Sequence, residues 1–220
     1  MISPPSSKPS SVPSRSAATK SVLSIMEHTL AYRLWQAPFA EQKLVPVFRH
    51  NDLTRVRRVL DVGCGPGTNT PHFAGTDYLG LDFNEGYIDY ARARYGRDFI
   101  TADVTKYRVS ESERFDFVLC NSLFHHIDTA NVRRILEHLA TLLTEDGHVH
   151  ILDLVLPKEP SIGRFLARMD RGEFPRPLEE WREIFTGAFE PVVFEAYPVG
   201  VAGVTLWNMI YFKGKVRRVS

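Results

Sequence analysis

The chain's 220 residues suffice for one well-packed α/β domain and are few for two. Hydrophobic residues at 44% and charged ones at 24% are ordinary globular proportions, and a net charge of +1 gives no field that draws the whole molecule to nucleic acid or an anionic membrane, although a local patch stays open. No apolar run reaches the roughly 18 residues of a membrane span, and the two cysteines, Cys64 and Cys120, lack metal-site spacing, so a reducing cytoplasm is the expected location. Residues 1–20 are rich in Ser and Pro, contain no acid and carry Lys8, Arg15 and Lys20; a disordered tail is expected rather than a targeting peptide. From Ser21 onward Val22, Leu23, Ile25, Met26, Leu30, Leu34 and Trp35 recur at near-helical intervals until Pro38, and a second helical segment runs from Ala40 to Phe48.

Val56 to Val62, interrupted by Arg57 and Arg58, reads as a buried strand that ends after Asp61 and empties into Gly63, Cys64, Gly65, Pro66 and Gly67. Glycines there let a ligand lie against the main chain, and a helix start just beyond them would turn N–H groups toward it. A dinucleotide fingerprint spaces its glycines Gly-x-Gly-x-x-Gly. Here the third glycine comes one position early, which argues against a nicotinamide cofactor. Asp61 before the loop suits a ligand bearing an ammonium or sulfonium group. The next strand, Tyr78 to Leu81, ends in Asp82.

With Asp61, the three glycines and Asp82 in this order, the stretch resembles the first motif of class I S-adenosylmethionine-dependent methyltransferases. That resemblance runs from about Val56 to Lys213. It implies a Rossmann-like, doubly wound α/β fold with a seven-stranded sheet, mostly parallel with an antiparallel C-terminal strand. It implies S-adenosylmethionine as cofactor and S-adenosylhomocysteine as product. Asp61, Gly63, Cys64, Gly65 and Gly67 are then the cofactor loop. Asp82 holds the ribose hydroxyls, Phe83 packs on adenine, and Asp103 with Val104, closing the third strand Phe99 to Ala102, meets the adenine amine. The fourth strand, Phe115 to Cys120, leads through Asn121 to His125 and His126, and so borders the transferable methyl group.

Between these motifs Thr68 to Phe73 leaves room for one or two helical turns, and Asn84 caps a helix from Glu85 to Tyr95 that stops at Gly96. Thr129 to Leu143 carries one apolar face and reads as a helix. Glu145-Asp146-Gly147 turns the chain into a fifth strand, His148 to Leu156. Lys158 to Arg176 is irregular, a candidate lid whose Arg164, Arg168, Arg171 and Arg176 suit an acidic acceptor or form the solvated face of a helix. Pro177 starts a helix to about Phe189, and Val192 to Tyr197 and Thr205 to Lys213 close the sheet. The expected organisation is a tail at 1–20, helices at 21–55 covering the cleft with Tyr32, Arg33 and Trp35, and a methyltransferase domain at 56–220 with a lid at 158–176.

Methyl transfer from a sulfonium depends mainly on positioning acceptor and methyl group. Where a proton must leave, His125 and His126 are the candidate bases, and adjacent helical residues point about 100 degrees apart, so one of them at most faces the methyl. Asn121-Ser122-Leu123-Phe124 lacks the Asn/Asp-Pro-Pro-Tyr/Phe segment of the family's amino-methylating nucleic-acid and glutamine enzymes, and Cys120 lies in an apolar strand where a thiolate is disfavoured. Only Asp153 stands near the fifth strand's end, so no metal is expected. A small-molecule acceptor follows, methylated on O, N or C. Phe165, Met169, Phe174, Trp207 and Met209 favour an aromatic or lipid-like one, with no nucleic acid partner. Two alternatives remain open: a protein that binds S-adenosylmethionine without transferring its methyl, and an enzyme of nucleic acid or protein methylation.

Overall fold

The computed structural model describes residues 39–169 and 173–217. The chain divides into two compact units, Met1–Ala37 and Pro38–Ser220, and the first lies outside the described residues. The expectations for the tail, for the helix from Ser21, for Tyr32, Arg33 and Trp35, and for Arg171 fall there too.

Seven strands form one sheet: β1 Arg58–Val62, β2 Asp77–Asp82, β3 Asp98–Thr101, β4 Phe115–Asn121, β5 Leu143–Val155, β6 Glu190–Val201 and β7 Val204–Lys215. Their order is β3-β2-β1-β4-β5-β7-β6. The first five pair in parallel, with Leu60 opposite both Leu79 and Val118, while β7 runs antiparallel to β5 and β6. The strand order reverses between β1 and β4, and open sheets of this kind take ligands in the crevice beyond the carboxyl ends at such a switch point. The loops after Val62 and Asn121 both open there.

Alternation along the strands divides the core in two. Leu60, Val62, Val118, Cys120 and Ile151 face helices α3 (Thr129–Leu142) and α5 (Leu178–Ala188), whose Leu136, Leu139, Trp181 and Phe185 are buried against them. Val59, Phe117, Leu119 and Tyr211 face the other way, toward α1 (39–50) and α2 (Glu85–Tyr95), which supply Leu44, Val47, Ile88 and Ala91. α2 begins where the Asn84 side chain accepts the Tyr87 N–H at 3.1 Å and ends at left-handed Gly96. α3 is capped likewise by Asp128. Tyr197 in β6 donates its hydroxyl to the Lys43 carbonyl at 2.7 Å, fastening α1 over the C-terminal strands.

Three elements sharpen or correct the sequence expectation. The segment after the glycines is a single 3-10 turn, Thr70–Phe73, because Pro71 and the early start of β2 leave no length for an α-helix. β5 begins at Leu143, not His148: Phe115 pairs with Leu143 and Phe117 with His148, so Glu145-Asp146-Gly147 is an excursion within the strand. The 158–176 stretch contains a regular helix, α4 (Ile162–Met169), packed on β7.

Candidate active site

The loop after β1 is drawn toward β2 because the Gly63 and Cys64 N–H groups both donate to the Leu81 carbonyl, at 2.7 and 3.1 Å. Gly63, Gly65 and Gly67 all have positive φ, at 67°, 53° and 80°. Their surroundings differ. A Cβ on Gly63 would lie 2.7 Å from the Leu123 side chain and one on Gly67 2.9 Å from the Tyr95 ring, whereas one on Gly65 would meet nothing within 4 Å. Gly65 is thus the point where bare backbone faces open space. Its N–H donates to Asp82 Oδ2 at 2.9 Å, while the Asn84 N–H donates to Oδ1 at 2.8 Å. A carboxylate offers about four lone-pair sites, so each oxygen retains capacity for a hydroxyl donor. Phe83, beside it, is 82% exposed. Such a ring in solvent is a stacking surface in search of a flat partner.

Asp103 stands at the end of β3, its Oδ1 accepting from the Thr105 N–H and hydroxyl. These hydrogen bonds from Thr105, with Lys106 nearby, hold its carboxyl below the usual range and keep it anionic. Val104 is packed into the core, and Cys64 is buried with its thiol pushed up by desolvation, so Cys64 offers the loop its backbone alone.

Asp61 stands behind the loop instead of opening onto it. It is fully buried, with the Tyr78 hydroxyl on Oδ2 at 2.7 Å and Asn69 Nδ2 on both oxygens at 3.3 and 3.1 Å. Asn69 Oδ1 in turn accepts from Asn121 Nδ2 at 3.0 Å, the Ser122 hydroxyl donates to Asn121 Oδ1 at 3.2 Å, and Lys43 Nζ donates to that hydroxyl at 3.1 Å. A continuous chain therefore runs from Asp61 under the loop to the end of β4, where Ser122 holds a left-handed φ of 56°. Strained backbone of this kind clusters at functional sites. Asn69 is a member that sequence reading missed.

Burial raises the Asp61 carboxyl from its ordinary 3.8 to about 6, against the pull of Tyr78 and Asn69. The folded state therefore holds this proton more tightly than the unfolded chain. Below about pH 4 both states are protonated; above about pH 6 the buried charge costs about 3 kcal/mol. Stability from this group falls as pH rises across that window. Asp61→Asn is expected to flatten that slope, read as the difference between the two proteins' urea unfolding free energies at pH 4 and pH 7.

Beyond Ser122 the two histidines separate. His125 is buried and His126 exposed, with ring centroids 4.0 Å apart. His125 Nδ1 lies 2.6 Å from Asp153 Oδ1, which also accepts the Leu154 N–H; Oδ2 accepts the Phe124 N–H at 2.7 Å. Asp153 accepts the hydrogen bond from Nδ1–H, which leaves Nε2 of the neutral ring as the basic nitrogen. The dyad forms because β4 and β5 are neighbours in register, Asn121 opposite Leu152.

Arg176, expected to meet an acidic acceptor, is 3% exposed. Its guanidinium donates to the carbonyls of Phe124, Ile127 and Phe174, and it stands over the Trp181 ring. It locks the histidine turn. Arg176→Ala leaves those carbonyls unpaired and is expected to cost about 3–5 kcal/mol in a denaturant titration.

A cavity of about 340 Å³ opens beside the end of β5, lined by Val155, Pro157, Leu178, Ala196, Pro198 and Met209 among others. No residue of the glycine loop lines it. Trp207, expected in a pocket, packs edge-on against Phe39 in the core instead. Among the described residues no cluster of His, Cys, Asp and Glu could hold a metal ion.

Fold and loop together are similar to those of class I S-adenosylmethionine-dependent methyltransferase domains. Residues 59–147 match the family model described as a methyltransferase domain. Trans-aconitate 2-methyltransferase of Rhizobium rhizogenes is 35% identical over 77 residues, covering 33% of this chain and 29% of the relative. Ubiquinone biosynthesis O-methyltransferase of Hahella chejuensis is 30% identical over 121 residues, 47% of this chain and 50% of the relative. The chain thus spans half or less of the length of these two relatives. The crystal structure of the N-methyltransferase NodS from Bradyrhizobium japonicum with S-adenosylhomocysteine superposes with a TM-score of 0.64 at 17% identity, over 82% of this chain and 89% of NodS.

Proposed function

We propose that the protein is an S-adenosylmethionine-dependent methyltransferase that acts on an oxygen, nitrogen or carbon atom of a small-molecule acceptor in the cytoplasm. The observation that carries this reading is the Gly65–Asp82 pair: open backbone and a buried-edge carboxylate joined by one hydrogen bond, with Phe83 exposed beside them. Asp82 takes the ribose hydroxyls, Phe83 stacks on the adenine and Asp103 accepts from its amine. Gly65 admits the ligand to the main chain, and Asp61, through Asn69, fixes the shape of the loop from behind. When bound, the cofactor supplies an electrophilic methyl on a sulfonium.

This chain's own work is positioning and proton removal. His125 accepts the acceptor's proton at Nε2 while Asp153 fixes the ring through Nδ1; such a base contributes about 10²–10⁴-fold. His126, exposed on the same turn, is the weaker candidate. NodS with its bound S-adenosylhomocysteine supports the cofactor, and the named acceptors of the two relatives support a small molecule. No helix of the described residues is long and apolar enough to cross a membrane, and both cysteines are free thiols, in keeping with a reducing compartment. Incubation with methyl-labelled S-adenosylmethionine and a panel of phenols, quinols, carboxylic acids and amines tests the proposal. Acceptor-dependent transfer of label is expected; tight cofactor binding with no transfer to any class would favour a sensor instead.

A further inference from the structure

α4 presents the wrong side to water. At about 100° per residue Gly163 and Ala167 share one face, and it is the buried one: Ala167 packs with Leu154, Val199, Trp207 and Met209, and a Cβ on Gly163 would come within 2.9 Å of Asn208 Nδ2. The helix rests on β7 by its small residues. Its bulky apolar ones point away, Phe165 at 63% and Ile162 at 58% exposure, while Arg164 and Arg168 occupy the other flank.

The strand beneath carries a second apolar projection. Gly163 sits against Leu206 and Asn208, and two residues before Leu206 β7 emerges from a hairpin tip. Ala202 and Gly203 form its two-residue turn, both with positive φ, and Val201 and Val204 beside them are 53% and 48% exposed. From Ala196 to Phe212 the chain has no charged residue, and from Ser161 to Arg168 it has two arginines and no acid. Aliphatic and aromatic side chains on two projecting elements, with Arg168 exposed on the helix and the acids Glu159 and Asp170 just beyond its ends in the sequence, complement a lipid interface with anionic headgroups.

We propose that α4 and the β6–β7 tip dock the protein on the surface of an anionic bilayer. Phe165, Ile162, Val201 and Val204 enter the boundary between headgroups and acyl chains, and Arg168 faces the phosphates, while the Arg164 guanidinium is held by the Pro157 and Lys158 carbonyls. The cavity lies between this same hairpin and α5, lined by Ala196, Pro198 and Met209 with the Lys158–Glu179 ion pair among its other lining residues. A lipid-like acceptor can therefore pass into it from the membrane. The acceptor clause rests on the methyltransferase reading; the docking itself does not.

The test is co-sedimentation of the full chain with vesicles of phosphatidylcholine alone and of phosphatidylcholine mixed with phosphatidylglycerol. Binding to the mixed vesicles is expected, weakening with added salt. Phe165→Asp and Val204→Asp are each expected to weaken it at least ~10-fold, and Arg168→Glu to weaken binding to the mixed vesicles more than to the neutral ones. All three variants should keep wild-type circular dichroism and S-adenosylmethionine affinity. Failure to sediment with either vesicle, or binding that the apolar variants leave unchanged, overturns the proposal. So does a dimer in sedimentation velocity that Phe165→Asp dissociates, because the surface would then be an interface between copies. Vesicle binding without S-adenosylmethionine binding would uphold the docking and remove the methyltransferase reading.

Discussion

Replacing Asp82 with alanine is expected to weaken S-adenosylmethionine binding about 100-fold or more, the loss of two charge-assisted hydrogen bonds to the ribose. The same carboxylate takes the Gly65 and Asn84 N–H groups, so the variant also loosens the loop, at a cost of about 1–3 kcal/mol in stability. The protein should remain folded, because Asp82 lies at the rim of the sheet. Gly65→Val separates the two effects. Its side chain would meet nothing within 4 Å in the free protein, so only the left-handed backbone is penalised, by about 1–2 kcal/mol, yet the methyls fill the space the cofactor needs. Both variants folded and both unable to bind, by calorimetric titration, is the expected pair of results. Unchanged affinity in either displaces the cofactor from this loop.

The second large effect is expected at Asp153. Asp153→Asn keeps the size of the side chain but lets its amide donate to His125 Nδ1, which moves the imidazole proton to Nε2 and removes the base. Turnover should fall by about 10²–10⁴-fold with cofactor affinity unchanged. Its pH profile should lose the limb that reports the histidine, a change that a merely structural role would not produce. His125→Ala should fall as far and His126→Ala little. Full rate in Asp153→Asn and His125→Ala would make positioning alone the mechanism.

Features written in local chemistry were legible from the residues. Asn84 and Gly96 mark the ends of α2 because a side-chain cap and a left-handed stop are local events, and α3 follows from its apolar spacing. The three glycines, Asp82 and the exposed Phe83 stand within 21 residues of one another, so their order alone suggested one ligand. Contacts made by the sheet were not legible. Asp153 and His125 lie 28 residues apart and meet only because β4 and β5 pair. Asn69 links Asp61 to Asn121 across the switch point for the same reason. Arg176 looked like one of four basic residues facing an acceptor, since charge does not disclose burial; three carbonyls around the histidine turn claim it. The Glu145-Asp146-Gly147 segment has turn chemistry, yet β5 runs through it with an irregular register, which only pairing with β4 reveals. Phe165, expected toward the acceptor, is exposed on α4, because Gly163 and Ala167 make the close approach to β7.

Calorimetric titration of the full chain with S-adenosylmethionine, S-adenosylhomocysteine and, separately, NAD tests the cofactor site most directly. Micromolar-range binding of the first two and none of NAD is the expected result, with Gly65→Val abolishing it. Binding of NAD alone would contradict the assignment at its first motif, where Gly67 comes one position too early for a dinucleotide.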